Sequence, residues 1–303
     1  MKVLIIGLGS IAKKHVAALQ ELDPHVELFA LRYTVPAIEL SGIVNIYEPD
    51  RIKNLGIDFV IISNPTFKHK ETIAGLLHLN LPLFIEKPLF EDLEGEALLN
   101  TIAEKNIITY VACNLRFLEC LKFAKTFIKG KRINEVNIYC GSYLPDWRPG
   151  QNFREVYSAN KEMGGGVHID LIHEFDYAYW LFGKPKNVRC TLSSSSSLEI
   201  TAIDYANYVL RFDQYNINIV LNYFRRDPKR SMEIVCDDGT LHVDLLKNAA
   251  YWNGSLIFET NQLISDTYND QMRFFTKNIL NQKASFNSVS EAYEILKICL
   301  AKE

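Results

Sequence analysis

The chain has 303 residues, of which 48% are hydrophobic and 23% charged, and a formal net charge of −3; it suits two domains and offers no basic field for nucleic acid or anionic lipid. No apolar run reaches the roughly 18 residues that a membrane span needs. The six scattered cysteines form no CxxC pair, which indicates reduced thiols in a cytoplasmic protein and argues against a metal site.

The first predicted elements are a strand, a glycine turn and a helix. A short aliphatic run at 3–6 ends at Gly7 and Gly9, and residues 11–22 have the pattern of a helix. This order is the context that a dinucleotide-binding GxGxxA turn needs, and the alternative is a buried strand with an ordinary turn. A pyrophosphate would approach the turn and the amides that begin the helix, namely those of Gly7, Gly9, Ser10, Ile11 and Ala12.

Strands and helices then alternate as far as residue 115. Continuous apolar runs such as 58–63 are typical of strands that are buried on both faces. Strands are predicted at 26–31, 44–47, 58–63, 83–86 and 107–113, and helices at 50–55, 66–79 and 93–105. The repeated units predict an α/β Rossmann domain, residues 1–115, with a doubly wound parallel sheet.

The pattern changes after residue 115. A helix at 117–129, a strand at 133–143, an irregular loop at 144–166 and a helix at 167–182 come first. Strand-like segments separated by turn signals follow, at 187–197, 204–212, 215–224, 231–236 and 239–246, before two helices near 267–281 and 289–301. This predicts an α+β domain, residues 116–303, with an open and mainly antiparallel sheet.

Polar residues cluster where the predicted parallel strands end, and ligands of open α/β sheets bind at that edge. Pro88 biases Lys87 toward an extended backbone, which would direct the ammonium group into the crevice; the alternative is a solvated lysine. We expect Arg116 near the substrate. The residues expected to contact the cofactor at this edge are Ser63, Asn64, Pro65, His69, Glu86, Lys87 and Asn114.

The end of the second predicted strand bears on the choice of cofactor. NAD enzymes often carry an acidic residue there, which binds the ribose 2′-hydroxyl. This strand instead ends in Ala30, Leu31 and Arg32. Because a guanidinium can bind a 2′-phosphate, we predict a preference for NADP over NAD. The alternative is a surface arginine that lies over the adenine of either cofactor.

The loop at 144–166 and the helix after it carry candidate substrate contacts. Trp147 and Tyr157 offer flat faces to a sugar ring, and Arg148 could bind a carboxylate or a diphosphate; the alternative is a packed loop. At about 100° per residue, one face of the predicted helix holds several polar residues, namely Asp170, His173, Glu174 and Tyr177. We expect this face to border the substrate, with Glu174 as a contact, unless it is a structural polar face.

Several segments together resemble the Gfo/Idh/MocA oxidoreductases: GLGSIAKKH, SNPTFKH, EKP, NLRF and the GGGxxxD that ends at Asp170. The resemblance implies NAD(P)-dependent hydride transfer on sugars, polyols or nucleotide sugars, in homodimers or homotetramers that associate through the C-terminal sheet. It also implies that Lys87 contacts the reacting oxygen, that Asn64 and His69 line the cofactor site, and that His173 is catalytic with Asp170 as its partner. The spacing from Asp170 to His173 is one residue shorter than in the family pattern.

We therefore expect hydride transfer between NADP or NAD and a hydroxyl or ketone carbon of a sugar. The expected substrate is a nucleotide-linked or acidic sugar.

Two alternatives use the same predicted site. One is redox-assisted elimination or epimerisation, in which the cofactor is used transiently. The other is a non-catalytic dinucleotide-sensing or scaffold protein, for which the shortened spacing between Asp170 and His173 is the best support.

Overall fold

A computed structural model of the chain describes residues 1–32, 40–282 and 286–302. The described residues form two compact units, one within residues 1–114 and 265–296 and one within residues 115–264 and 297–302. In chain order, the elements are β1 (Lys2–Ile6), α1 (Ser10–Leu22), β2 (Glu27–Leu31), β3 (Ile43–Ile46), β4 (Phe59–Ile62), α2 (His69–Leu76), β5 (Leu83–Glu86), α3 (Glu96–Glu104), β6 (Thr109–Ala112), α4 (Glu119–Phe127), β7 (Ile133–Tyr143), α5 (Val167–Asp170), α6 (His173–Phe182), β8 (Asn187–Ser193), β9 (Tyr205–Arg211), β10 (Asn216–Asn222), β11 (Phe224–Cys236), β12 (Thr240–Asp244), β13 (Ala249–Trp252), β14 (Ser255–Glu259), α7 (Asp266–Phe274) and α8 (Val289–Cys299).

The first unit is built on a parallel sheet with the strand order β3-β2-β1-β4-β5-β6. The central strands are buried throughout, as in β4, because helices cover a parallel sheet on both faces. The order reverses between β1 and β4, which is the switch point where ligands of doubly wound sheets bind. The predicted α/β class and Rossmann topology are confirmed.

The segment from 265 to 296 packs with the N-terminal sheet, which departs from the single predicted boundary at 115. The ring of Phe275 lies 5.0 Å from that of Phe59 and 5.2 Å from that of Phe84, measured between centroids. The buried Asn287 donates from its side-chain amide to the carbonyl of Val111 at 2.9 Å. These contacts join residues far apart in the chain, so no local pattern could show them.

The second unit contains a sheet with the order β14-β13-β12-β11-β7-β10-β9-β8. Only β7 and β10 pair in parallel, and the other neighbours are antiparallel. Alternate residues of the central strands, such as Val136 and Ile138 of β7, are buried, so the sheet has one core face. The predicted open and mainly antiparallel sheet is confirmed.

The prediction missed β13 and β14. Their connection is Asn253-Gly254, with φ values of +50° and +83°, which are the two positive values of a type I′ hairpin turn. Asn-Gly between apolar segments is a strong hairpin signal, so the sequence held this information. The predicted helix at 167–182 is also interrupted, because Leu171 ends α5 with ψ of 32°.

None of the helices in the described ranges is long and apolar enough to cross a membrane. All six cysteines are thiols and none is in a disulfide. Burial raises the pKa of the Cys120 thiol to about 12. This thiol is therefore protonated at neutral pH and is not a nucleophile.

Candidate active site

Gly7 is required by the fold itself. Its φ is +92°, and a Cβ placed on it would lie 2.4 Å from the backbone nitrogen of Asn64. Ser63 holds the same place by donating from its hydroxyl to the carbonyl of Gly7 at 2.8 Å. The ends of β1 and β4 therefore meet so closely that only glycine fits at position 7.

Gly9 is different, because it faces no protein. A Cβ on Gly9 would have no described heavy atom within 4 Å, and its φ of −77° suits any residue. Gly9 precedes α1, whose first turn receives no side-chain cap from the described residues. The amides of Ser10, Ile11 and Ala12 begin the helix, and Ala12 is buried. This uncapped and uncrowded turn fits a dinucleotide pyrophosphate, because helix N-termini bind anions.

The segment after β4 is fixed by His69. One ring nitrogen of His69 lies 3.0 Å from the carbonyl oxygen of Asn64, and the other lies 3.0 Å from that of Leu89. Burial lowers the pKa of this histidine below its usual range, although both carbonyls oppose the shift. His69 is buried, so its ring braces the two segments rather than lying open to a cofactor. Pro65 precedes the short helical turn Thr66–Lys68.

The strand end that carries Lys87 is tied to α1. Glu86 lies 2.5 Å from Nε2 of His15, and its other carboxylate oxygen accepts the backbone N–H of Lys87 at 3.2 Å. His15 is 0% exposed and Glu86 is 8% exposed. The half-buried Lys87 precedes a cis peptide bond to Pro88. The Glu86 carboxylate thus links α1 to the backbone of Lys87.

His15 was not among the predicted site residues. Its ring packs edge-on against Phe84 at 4.9 Å and Tyr268 at 6.0 Å, measured between centroids. The sequence could have indicated that His15 is buried, because Ala12, His15 and Leu19 have the helical spacing of one face and share the buried stripe of α1. No sequence pattern pointed to Tyr268, which comes from the segment that returns to this unit.

Arg32 and Asn114 stand at the ends of β2 and β6. Arg32 donates its backbone N–H to the carbonyl of Ile46 at 2.8 Å, and its side chain is half-buried. The side-chain amide of Asn114 donates to the hydroxyl of Thr267 at 2.7 Å, and both residues are buried. Asn114 therefore anchors α7, whereas Arg32 directly follows the end of β2.

In the second unit, Asp170 is held by a tyrosine that the sequence did not indicate. The hydroxyl of Tyr223 donates to Asp170 at 2.5 Å. Burial, reinforced by the Asp170 carboxylate, raises the pKa of Tyr223 well above its usual range, so it stays a proton donor. Trp147 packs edge-on against Tyr223 at 5.3 Å between ring centroids, and its indole donates to the Ser142 hydroxyl at 2.9 Å.

The predicted polar face of the helix is corrected by the structure. Glu174 is 0% exposed and is bound by Arg230 at 2.6 and 3.1 Å. Tyr177 is buried as well, whereas Asp170 and His173 are half-buried on either side of the break between α5 and α6. Glu174 is thus part of a buried ion pair and not a substrate contact.

The expected position of Arg116 near the substrate also differs from the structure, because Arg116 is part of another buried ion pair. Its guanidinium binds Asp176 through two hydrogen bonds of 2.9 and 2.8 Å, and each residue is 1% exposed. A bidentate pair of this kind neutralises both charges in the core. Arg116 therefore holds α6 in place, and its buried guanidinium does not face a substrate.

The remaining candidates of the second unit lie nearer its surface. Arg148 is exposed and Tyr157 is half-buried, and their contact with substrate stays a prediction. His168 is 9% exposed, and burial lowers its pKa to about 4 despite the nearby Asp170. Among the described residues, no group of three His, Cys, Asp or Glu side chains could hold a metal ion.

Comparison with known proteins shows the family of this chain. The sequence model of the oxidoreductase family with an NAD-binding Rossmann fold matches residues 1–113, and that of the GFO/IDH/MocA C-terminal domain matches residues 121–242. The rhizopine catabolism protein MocA of Rhizobium meliloti is 28% identical over 200 residues. The match covers 63% of this chain and 61% of MocA, so the chain spans less than two thirds of that relative.

Solved structures share the fold. An oxidoreductase from Agrobacterium radiobacter, in complex with NAD+, L-tartaric acid and magnesium, is similar with a TM-score of 0.85 and 16% identity, over 99% of this chain and 94% of that one. The WlbA dehydrogenase of Bordetella pertussis, in complex with NADH and UDP-GlcNAcA, has a TM-score of 0.79 and 17% identity, over 98% and 93%. With both domains matched in their expected order, the chain belongs to the Gfo/Idh/MocA family of oxidoreductases.

Proposed function

We propose that this protein transfers a hydride between NAD(P) and a hydroxyl-bearing carbon of a sugar. The observation that carries the proposal is the link from His15 on α1 through Glu86 to the backbone of Lys87. It joins the anion-binding turn to the lysine that the family motif assigns to the reacting oxygen. A lysine that served only as a solvated strand terminus would not need a buried carboxylate at its amide.

The side chains have distinct roles in this proposal. The Lys87 ammonium stabilises the negative charge that develops on the substrate oxygen, and one such donor is worth about 3–4 kcal/mol. His173 takes the hydroxyl proton during oxidation and returns it during reduction, a step worth about 10²- to 10⁴-fold in rate. Asp170, held by Tyr223, orients the imidazole. The nicotinamide, when bound, supplies the hydride acceptor or donor.

The substrate in this proposal is a nucleotide-linked or acidic sugar. The exposed Arg148 and the half-buried Trp147 support this choice, because they pair a cation with an aromatic face in one loop. The similar WlbA dehydrogenase was solved with UDP-GlcNAcA, which is both nucleotide-linked and acidic.

We further propose that NADP is preferred over NAD. Arg32 follows β2 directly, where an acidic residue would favour the 2′-hydroxyl of NAD. Titrations of NADPH and NADH should give the lower Kd for NADPH, and the substitution Arg32→Gln should weaken NADPH binding more than NADH binding. Tighter binding of NADH to the wild-type protein would contradict this preference.

The proposal includes a homodimer or homotetramer that associates through the C-terminal sheet, in the cytoplasm. One face of that sheet is buried against the core of its own unit, which leaves the other face for a second copy. Light scattering of the purified protein tests the assembly, and a monomer at micromolar concentration would contradict it. Cell fractionation tests the location.

Absorbance of the reduced nicotinamide tests the proposed activity directly. The panel should hold polyols, hexoses, uronates and nucleotide sugars, each with both cofactors. We expect turnover with at least one sugar, and a loss of about 10²-fold or more in kcat for Lys87→Ala with cofactor binding retained. The exposed Lys105 supplies the control, Lys105→Ala. No turnover across the panel, despite tight cofactor binding, would favour a sensing or scaffold protein instead.

A further inference from the structure

We propose that His15 is a positioning residue, which acts through Glu86 on the backbone of Lys87. The inference rests on the proposed function, because Lys87 is the side chain that would meet the reacting oxygen. It gives a role in the reaction to a histidine that is 0% exposed and therefore touches neither substrate nor cofactor. All the residues that carry the argument belong to the first unit.

The inward face of α1 is apolar except at His15. The buried residues of this helix are Ala12, His15, Ala18 and Leu19. β5 is also buried throughout, and its one charged residue is Glu86. Apolar residues of similar volume often stabilise a core as well as a buried polar pair does, or better. Stability alone therefore does not explain why a histidine and a glutamate meet here.

Two aromatic rings enclose the imidazole of His15. The ring of Phe84 lies 4.9 Å away and that of Tyr268 lies 6.0 Å away, both edge-on and measured between centroids. The ammonium of Lys14 lies 4.6 Å from the centroid of Tyr268, so α1 and α7 also meet at this tyrosine. In this setting Nε2 of His15 contacts Glu86, and the buried Nδ1 has no hydrogen-bond partner among the described residues. The carboxylate is thus the polar contact that orients the ring.

Both carboxylate oxygens of Glu86 take part in the link. One oxygen lies 2.5 Å from Nε2 of His15, and the ring nitrogen is the donor because a carboxylate accepts hydrogen bonds. The other oxygen accepts the backbone N–H of Lys87 at 3.2 Å. Glu86 is 8% exposed, so water has little access to either oxygen. Loss of the imidazole would let the carboxylate turn, and the amide of Lys87 would lose its acceptor.

The chain is also held just after Lys87. The next three residues, Pro88, Leu89 and Phe90, are buried. The carbonyl oxygen of Leu89 lies 3.0 Å from Nδ1 of His69. The half-buried Lys87 therefore lies between two segments with fixed contacts. Only the Glu86 side of this arrangement depends on His15.

The link relates Lys87 to the turn that would hold the pyrophosphate. His15 lies five residues after Ser10, the first residue of α1, which is about 7.5 Å along the helix axis. The same helix would therefore hold a phosphate at its first amides and, through Glu86, the lysine at the end of β5. Hydride transfer depends on such placement, because a misplacement of about 1 Å can cost about 10²-fold in rate.

Amide hydrogen exchange tests the link without any substrate. NMR of the full chain with isotope-labelled lysine amides should show that His15→Leu speeds exchange at Lys87 at least about tenfold. The N–H of Lys105, which donates to the carbonyl of Thr101 at 3.1 Å in the same unit, is the internal reference. His15→Gln, whose amide can reach Glu86, should recover the protection. His15→Asn, whose amide is too short to do so, replaces His15→Leu if that variant does not fold.

Kinetics with a sugar that the panel identifies test whether the link matters for the chemistry. His15→Leu should lower kcat about tenfold to 10²-fold, with KM for the sugar within about threefold. In the Lys87→Ala background the same substitution should change kcat by less than about threefold, because a residue that acts through Lys87 has no effect once the ammonium is gone. Leu19→Ala is the matched control, since it removes another buried side chain of α1 and should lower Tm without lowering kcat.

The outcomes separate this proposal from the proposed function. Faster exchange at Lys87 alone, with a loss of kcat that is absent in the Lys87→Ala background, supports the positioning role. Equal acceleration at Lys87 and Lys105 would make His15 an ordinary core residue and would overturn the proposal. Sugar turnover with an unchanged kcat in His15→Leu would also overturn it and would leave the proposed function standing. If the wild-type protein turns over no sugar, the proposed function fails, and the exchange data alone decide whether His15 holds Lys87.

Discussion

Substituting alanine for each of the two glycines of the first turn separates folding from cofactor binding. Gly9→Ala places a Cβ where no described protein atom lies within 4 Å, at a φ of −77° that alanine adopts freely. Stability should therefore change by less than about 0.5 kcal/mol, as for an ordinary surface substitution. The new methyl group would occupy the space from which a pyrophosphate approaches the amides of α1.

The expected loss of affinity follows from those amides. Displacing a phosphate from one or two of them removes hydrogen bonds to a charged group, which are worth about 1.5–3 kcal/mol each. At 1.4 kcal/mol per factor of ten, we expect the Kd for NAD(P)H to rise at least about tenfold.

Gly7→Ala is the matched contrast. Its Cβ would lie 2.4 Å from the nitrogen of Asn64, and φ is +92°. The left-handed conformation costs about 1–2 kcal/mol, and overpacking typically adds about 1–3 kcal/mol. We therefore expect a loss of about 2–5 kcal/mol in the free energy of unfolding.

Urea denaturation and fluorescence titration with NAD(P)H measure the two effects for both variants. We expect a stable Gly9→Ala protein that binds cofactor poorly, and a destabilised Gly7→Ala protein. A Gly9→Ala protein with wild-type affinity would refute the assignment of the turn as the pyrophosphate site. A Gly7→Ala protein of wild-type stability would refute the close approach of β1 and β4.

The remaining predictions concern three other side chains. Lys87→Ala should lower kcat about 10²-fold or more while the Kd for cofactor stays within about threefold in a fluorescence titration; equal losses in both would instead indicate a binding role. Tyr223→Phe removes one hydrogen bond to Asp170, so it should lower the free energy of unfolding by about 1 kcal/mol. It should also lower kcat more than it changes KM, and an unchanged pH profile of kcat would count against a positioning role for Tyr223. The pKa of His168 is about 4 in the folded protein and 6.5 unperturbed, so the unfolded chain takes up the proton first and stability falls as the pH drops through that window. Between pH 7 and pH 5 this group alone should cost about 2 kcal/mol, and urea denaturation of His168→Gln should lack that part of the loss.

Features encoded by neighbouring residues could be predicted from the sequence. The strand, the turn at Gly7 and Gly9 and the following helix lie within a short stretch, and alternating elements specify the parallel sheet through their order. The Asn253-Gly254 hairpin is equally local, because an Asn-Gly pair between two apolar segments encodes it. The predicted helix around Asp170 followed from periodicity alone, which does not show where a helix is interrupted.

Ion pairs between residues that are far apart in the chain could not be predicted. Glu174 has the sequence environment of an exposed helix residue, and only Arg230, from β11, makes its burial acceptable. Arg116 is buried for a similar reason, through Asp176. A buried charge needs a partner, and its partner can come from any part of the chain. For this reason periodicity placed Glu174 and Tyr177 on an exposed polar face, although both are buried.

Transfer of deuterium tests the central claim most directly. A sugar that the panel identifies as a substrate would be labelled with deuterium at its carbinol carbon and incubated with oxidised cofactor. Mass spectrometry of the nicotinamide would then follow the label. We expect one deuterium on the nicotinamide ring for each sugar oxidised, and a rate about 10²-fold lower in Lys87→Ala. Deuterium that appears in water, or that returns to the sugar while the cofactor pool stays oxidised, would contradict net hydride transfer.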